Sequence, residues 1–589
     1  MKVLGISSFF HDAAAALAVD GHIVMALEEE RLSRIKHDPA LPVLSIAKIL
    51  DVQGISIDEL DAVVFYEKPL RKFDRILQGH LGEFPRGFKR FARALPTWLS
   101  RRLWVEHELA TTLDCDPDKI RFCTHHLSHA ASAFFPSPFG SAAILTVDGV
   151  GEWASAGLFH GHQGRITPIS EQRYPHSLGL LYSALTAYLG FEVNEGEYKV
   201  MGLSSYGEPT FRAELDQVVT VHDDGALELD LSYFAFQHSH EASFSPRMER
   251  LLGPARRPSD DFDPTRDRRY ADIARTLQVL TEEVLLKMAR HALARTGETR
   301  LVLAGGVALN SVANGRLARE LASELEPGGL YVHPAAGDAG GAIGAALWAS
   351  HELFAAPRTL SIVPVPQRGP SFGDAEIEDA LTACRARFVR LDEPAMDEEL
   401  ARRLARGEVG AFFQGEAEWG PRALGARSIL ADPRRAEVAG FVNEKIKFRE
   451  PFRPFAPACL EDEAPLYFDL HRNDQHLAPY MLTVVPVTEL GQRVLPATTH
   501  VDKTARVQVV SPEASPRFAR LLTAFAVETG VGCLLNTSFN LRGEPMCASP
   551  LDALSTFQRS ALDFLAIGPF LVTRSDLDKT QPHPIAEAA

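Results

Sequence analysis

The sequence predicts an α/β protein in two parts: a duplicated domain with a cleft between its halves, then a second, mixed α/β domain. Three observations carry this. A strand–polar-loop–strand unit at the N-terminus returns about 140 residues further on. Short apolar runs that end in Gly-rich turns continue the alternation of strand and helix into the 340s. A Pro-rich stretch, 357–370, with Pro357, Pro364, Pro366 and Pro370, then reads as a linker, and residues 371–575 beyond it carry more Arg, Phe and Pro. A chain of 589 residues is also too long for one hydrophobic core. The domains are therefore expected at 1–357 and 371–575.

In chain order, Val3 to Ser7 is apolar and β-prone. Ala13 to Val19, the pair Asp20-Gly21, and His22 to Leu27 read as a hairpin. The second copy runs from Ala142 to Val147, through Asp148-Gly149-Val150-Gly151, to Ala154–His160. Paired loops of this kind face a common cleft in actin-like, sugar-kinase-like ATPases. Between the copies, His125 and His129 sit four apart in a helical segment, so both imidazoles share one face. The strand ending at Val147 would deliver the Asp148 carboxylate beside them. Two imidazoles and a carboxylate suit iron, manganese or zinc. His126 points elsewhere. Leu301 to Ala304 leads into Gly305-Gly306 and Asn310, and Leu330 to Val332 leads into HPAAGDAGGAIGAALWA, which holds Asp338. Glycines ahead of a helix admit an anion to backbone N–H groups; close packing of helix on sheet explains Gly344 equally well. Residues 66–103 hold ten Lys and Arg against three acids, interleaved with Phe73, Phe84, Phe88, Phe91 and Trp98. This basic insertion reads as a pair of amphipathic helices on the domain flank, with a substrate lid or a partner surface as the alternatives.

The bulk properties exclude several classes. A net charge of −16 argues against general nucleic-acid binding, which needs Lys and Arg to neutralise phosphates. The six cysteines form no CxxC pair and read as reduced thiols. MKVLGISS enters a strand directly without a signal-peptide apolar region, and no apolar run is long enough to span a bilayer, so a cytoplasmic protein with no membrane partner is expected.

Taken jointly, FHDAAAALAVDG, EEERLSRIKHD, HHLSHAASAFFPSPF, LTVDGVGEWAS, EYKVMGLSSYG, AGGVALN, GDAGGAIGAA, EWGPRALGARSILADPR, KFREPFRPFAPACL, HVDKTARVQVV and LLNTSFNLRGEPM resemble the NodU/CmcH family of O-carbamoyltransferases, from residue 4 to about 550. The insertion at 66–103 resembles members that act on natural-product or toxin scaffolds. The resemblance implies an N-terminal actin-like domain and a C-terminal YrdC-like domain. The latter would convert carbamoyl phosphate and ATP, with Mg²⁺, to carbamoyl-adenylate. The former would move the carbamoyl group to a hydroxyl of a small-molecule acceptor, and a homodimer is compatible with the family.

The resemblance also assigns residues. His125, His129, Asp148 and Asp338 match its metal ligands, with Fe²⁺ the expected ion, and Asp148 lies against the nucleotide as well. Lys36 matches an adenylate contact. Arg422, Arg453, Arg506 and Asn536 match carbamoyl-phosphate positions, where guanidinium forks suit phosphate oxygens; Arg427, Lys447 and Arg449 are second choices. Gly305, Gly306 and Asn310 are expected along the nucleotide. His11 matches the proposed base, which takes the acceptor's proton. Three rival readings fit the sequence less well. Net charge and the fused adenylating module disfavour a tRNA threonylcarbamoyl-type transferase. A hydrogenase-maturation protein would carry an acylphosphatase segment and zinc CxxC motifs. A non-enzymatic actin-like nucleotide-dependent scaffold needs neither the His pair nor an Arg-rich second domain.

Overall fold

The computed structural model describes residues 1–85, 87–239, 241–360 and 367–576. Pro364 and Pro366 of the linker stretch, and the last twelve residues, DKTQPHPIAEAA, whose polar, Pro-containing sequence predicts a frayed end, lie outside the described residues. The chain forms two compact units. The first comprises Met1–Glu29, Pro39–Pro364 and Arg472–His476; the second comprises Glu30–Asp38, Val365–His471 and Leu477–Ala589.

In the first unit, β1 (Lys2–Ser7), β2 (Ala14–Val19) and β3 (His22–Glu28) form an antiparallel meander. Strands β4 (Ala62–Phe65) and β5 (Ile120–Phe122) add in parallel beside β1, giving the order β3-β2-β1-β4-β5. The pattern then repeats. Strands β6 (Ser141–Val147), β7 (Ala154–His162) and β8 (Arg165–Arg173) make the second meander. After a separate ribbon of β9 (Val219–Val221) and β10 (Leu227–Leu229), strands β11 (Leu301–Ala304) and β12 (Leu330–Val332) run parallel beside β6. The second order, β12-β11-β6-β7-β8, mirrors the first strand for strand. The same order and polarity twice in one unit is a duplicated actin-like fold, with two sheets in place of one continuous sheet. Local chemistry explains the hairpins: Asp20 and Gly21 take φ of 49° and 82°, as a tight turn between twisted strands requires. The parallel strands β4 and β11 are buried at every residue, which is why they read as unbroken apolar runs.

A helix follows the last parallel strand of each half: His125–Phe134 after β5 and Gly340–Trp348 after β12. They pack on each other at Gly344, where a Cβ would lie 1.7 Å from the Ser128 carbonyl oxygen. Gly5 meets the same helix, its Cβ position 1.9 Å from the Ala342 oxygen. The small residues of AGGAIGAA thus serve close approach of helix to helix and strand. The insertion forms helices Pro69–Gly82 and Phe88–Ser100, joined face to face by Phe73 with Trp98 and His80 with Phe91. Leu70, Leu81, Phe84, Phe88 and Leu99 stay exposed.

The second unit is built on one eight-stranded sheet. Its strands are β13 (Val389–Arg390), β14 (Gly410–Phe413), β15 (Arg427–Ala431), β16 (Ala456–Leu460), β19 (Gln508–Val510), β20 (Cys533–Ser538), β21 (Phe564–Ile567) and β22 (Phe570–Thr573), while β17 (Val485–Pro486) and β18 (Thr504–Ala505) pair apart. The order is β13-β22-β21-β14-β15-β20-β16-β19. Period-2 alternation divides its side chains between two cores. Ala411, Phe413, Ile429, Ala431, Leu565 and Ile567 face helices Asp374–Ala383 and Pro550–Arg559. Phe412, Leu430, Phe564 and Ala566 face helices Glu393–Ala405 and Pro516–Thr529. No helix among the described residues is long and apolar enough to cross a membrane.

Candidate functional site

The first unit gathers four donor atoms at one point. His125 and His129 start the helix after β5, Asp148 leaves the end of β6, and Asp338 precedes the helix after β12. His125 Nε2 lies 3.0 Å from Asp148 Oδ2 and 3.1 Å from His129 Nε2. His129 Nε2 lies 3.3 Å from Asp148 Oδ2 and 3.4 Å from Asp338 Oδ1, and His125 Nε2 is 3.8 Å from Asp338 Oδ1. Four donors about 2.1 Å from a tetrahedral cation stand about 3.4 Å from one another, so the set fits a divalent metal. Two ring nitrogens facing each other and two carboxylates aimed between them make a poor hydrogen-bond network and a good ligand shell. His125, His129 and Asp338 are buried. Burial pulls His129 down, but hydrogen bonds to Asp148 and Asp338 outweigh it and raise the ring to about 9. Burial likewise disfavours the Asp148 carboxylate, yet its two histidine partners hold it well below the usual range.

The surrounding residues fix this geometry. Glu152 accepts the His125 backbone N–H at 3.0 Å and the Lys68 N–H at 2.9 Å, capping the ligand helix with a charge that suits its positive end. Ser177 donates to the Asp148 and Gly149 carbonyls at 3.1 and 2.6 Å. His126 bonds Thr146 Oγ1 and the Ala154 carbonyl; burial, then the neighbouring His125 and His129, press it down to about 3 and keep it neutral. Glycine is required at 305 on two counts, a φ of +89° and a Cβ position only 2.3 Å from the Val147 oxygen, and the Gly306 N–H donates to Asp148 Oδ1 at 3.2 Å. Asn310 caps helix Ser311–Glu320 through Ala313 N and exchanges amide bonds with Gln278, so its side chain is engaged in structure.

His11 sits in the β1–β2 loop, 3.9 Å from Asp338 Oδ2 and 2.8 Å from Asp12 Oδ2. Phe9 and Asp12 both hold positive φ, 74° and 54°, which is rare for a bulky aromatic and marks a constrained turn. The insertion braces that turn: Arg102 donates to the Phe9 carbonyl at 2.5 Å and covers its ring, while Lys72 lies over the Phe10 ring. Burial works to lower His11, but Asp12, Asp338 and Asp148 prevail and raise it to about 9. A bound dication would offset the pull of Asp338 and Asp148 and bring His11 back toward neutrality.

The second unit holds the arginine cluster. Arg506 is half-buried, and burial together with Arg422, Arg449 and Arg453 drives it well below the usual guanidinium range. Its Nε has no hydrogen-bond partner among the described residues. Like charges held together this way suit a polyanion. The loop that presents Arg422 is locked from below: Glu418 Oε1 accepts from the N–H groups of Leu424, Ala426 and Arg427, and Gln508 and Asn536 bond the Leu424 and Ala423 carbonyls. Buried Asn536 leaves Oδ1 without a partner among the described residues. Arg427 and Lys447 do other work. Arg427 is buried, donates to four backbone carbonyls and stacks 3.6 Å from the Phe413 ring centre. Lys447 is consumed by Ser538 and Asn540. Lys36 lies in the segment Glu30–Asp38, so it belongs to the second unit although sequence order suggested the first. That segment is tied in by Arg31 to the Gly420 carbonyl at 2.8 Å and Arg34 to the Met546 carbonyl at 2.7 Å.

Residues 2–347 match the carbamoyltransferase N-terminus family and residues 401–574 its C-terminus counterpart. An uncharacterized protein of Synechocystis sp. is 43% identical, covering 97% of each chain. Nodulation protein NolNO of Sinorhizobium fredii is 38% identical over 96% of this chain and 80% of its own length. Among solved structures, component A of the Acidaminococcus fermentans (R)-2-hydroxyglutaryl-CoA dehydratase covers 60% of this chain and 98% of its own, at 15% identity and TM-score 0.32. A likeness of that size adds nothing to the fold assignment, which rests on the repeated strand order.

Proposed function

Because the chain belongs to the carbamoyltransferase family, we propose that this enzyme activates carbamoyl phosphate with ATP in its second unit and transfers the carbamoyl group to an acceptor hydroxyl in its first. Water first cleaves carbamoyl phosphate to carbamate and phosphate; a carbamate oxygen then bonds the α-phosphorus of ATP as the bond from that phosphorus to pyrophosphate breaks, giving carbamoyl-adenylate. The arginines 422, 453 and 506 bind the phosphate groups, Asn536 Oδ1 accepts an N–H of the carbamoyl amide, and Lys36 contacts the adenylate. In this reading the second unit takes the part of the YrdC-like module expected from the sequence.

In the transfer step the acceptor oxygen bonds to the carbamoyl carbon, the bond from that carbon to the phosphate oxygen breaks, and AMP leaves. His11 takes the acceptor's proton, and Asp12 on Nδ1 orients the ring so that Nε2 meets the hydroxyl. His125, His129, Asp148 and Asp338 hold a divalent cation, of which Fe²⁺ is the candidate; when bound it supplies Lewis-acid stabilisation of charge on the adenylate phosphate. Gly305 and Gly306 give the nucleotide close backbone approach, and Mg²⁺ accompanies ATP. The acceptor is a hydroxyl-bearing small molecule. The observation that carries this reading is the convergence of four ligand atoms from both halves of the duplicated fold, next to His11. The test is pyrophosphate release from the full chain. Release that needs both carbamoyl phosphate and ATP supports the reading; release from ATP alone, or none with both present, overturns it.

A further inference from the structure

The opposite end of the second sheet carries another set of metal-type ligands. His160 and His162 stand two apart on β7, so both rings lie on one face of the sheet. Their rings stack with centroids 5.7 Å apart and planes 25° from parallel. Glu298 reaches the same face from just beyond the 29-residue helix Arg268–Thr296, after Gly297 turns the chain with φ +71°. Its Oε1 lies 2.8 Å from His160 Nε2, and its Oε2 accepts from Ser141 Oγ at 3.1 Å. One ligand atom of each of the three residues lies within 4.8 Å of the others.

The geometry points to a second divalent-metal site of the zinc class at His160, His162 and Glu298. The ligand types are right: two imidazole nitrogens and one carboxylate oxygen bind Zn²⁺ well and leave a fourth position for water. The arrangement is held in advance. Ser141 fixes the carboxylate so that one oxygen faces His160, and the cross-strand neighbour of His160 is Ala143, too small to block the rings. Only side-chain adjustment of the exposed His162 is needed to close the set. The site is separate from the catalytic cluster. His162 pairs with Ser141 at the start of β6, whereas Asp148 follows its end, so about seven residues of strand, roughly 20 Å, lie between them. A cation here would tie the β7–β8 turn, where Gln163 and Gly164 both hold positive φ, to the segment that feeds β11. Its role is to brace the sheet that supports Asp148.

Zinc binding by the full chain tests this after chelation and equilibrium dialysis against micromolar free Zn²⁺. Wild type is expected to hold two equivalents and the His160→Ala/His162→Ala variant one. Glu298→Gln keeps the shape but loses ligand charge, and should weaken the second equivalent at least about tenfold. The His129→Ala variant should retain the second equivalent. Circular dichroism of the metal-free proteins checks folding. The same zinc stoichiometry in wild type and the double variant, or no zinc retained by His129→Ala, overturns the proposal and leaves His160–Glu298 as a hydrogen-bonded pair.

Discussion

Substituting Gly344 by Ala tests how the fold sets the spacing of the ligand cluster. The new Cβ would stand 1.7 Å from the Ser128 oxygen, and an ordinary contact needs about 3.4 Å, so the two helices must part by about 1.7 Å. Ser128 is the residue before His129, while Asp338 lies at the start of the other helix, so this displacement falls on the ligands themselves. The His129 Nε2 to Asp338 Oδ1 spacing of 3.4 Å would open toward 5 Å, beyond the reach of a shared cation. Overpacking of this kind costs about 1–3 kcal/mol. Gly440→Ala is the control: it sits in a helix with nothing within 4 Å of its Cβ position, and should gain about 0.5–1 kcal/mol. Urea unfolding and metal analysis of both variants are the assays. If Gly344→Ala matches wild type in stability and metal content, the idea that this helix contact sets the ligand spacing is wrong.

Other outcomes follow from individual side chains. His129→Ala should lose the metal at the catalytic cluster, read by metal analysis of the purified protein; full occupancy there would refute the assignment. His11→Asn should bind metal and form adenylate normally but transfer about 10²–10⁴ times more slowly, and an unchanged rate of acceptor carbamoylation would make His11 a structural turn residue. His333 supplies a pH effect. Burial holds it down to about 4, where its Nδ1 accepts the Ala335 N–H at 3.1 Å, while an unfolded histidine sits near 6.5. The neutral ring therefore costs nothing above pH 6.5, and the unfolded chain takes up the proton first as pH falls. Stability should drop through the window from 6.5 to 4 by about 3 kcal/mol in all. His333→Gln should flatten that share of the slope in denaturation midpoints measured at pH 7.5 and 4.5, and identical slopes would refute it.

Much of the first unit was legible because its signals are local. The hairpins at Asp20-Gly21 and Asp148-Gly149 announce themselves in turn chemistry and strand periodicity, and their repetition gave the duplicated fold. The two histidines four apart were visible for the same reason, and the strand ending at Val147 placed Asp148. What escaped was long-range hydrogen bonding, which leaves no periodic trace. Nothing local marks Glu152 as the cap of the ligand helix, or Glu418 as the clamp on the Arg422 loop. Nor does a run of basic residues reveal that Arg102 grips the Phe9 carbonyl beside His11. Arg427 and Lys447 share their motifs with Arg422, Arg449 and Arg453, the arginines proposed or clustered around the anion site, and only burial against backbone carbonyls separates them. The segment Glu30–Asp38 shows the limit of reading domains in chain order, since Arg31 and Arg34 secure it in the second unit.

If activation and transfer occur at separate sites, with carbamoyl-adenylate between them, the two half-reactions can be measured apart. Exchange of labelled pyrophosphate into ATP, dependent on carbamoyl phosphate, reports activation without any acceptor. Exchange is expected in wild type, near-normal exchange in His129→Ala, and none in Arg506→Ala, where the proposed anion site has lost the guanidinium pressed among Arg422, Arg449 and Arg453. Exchange that survives in Arg506→Ala and vanishes in His129→Ala would contradict that separation.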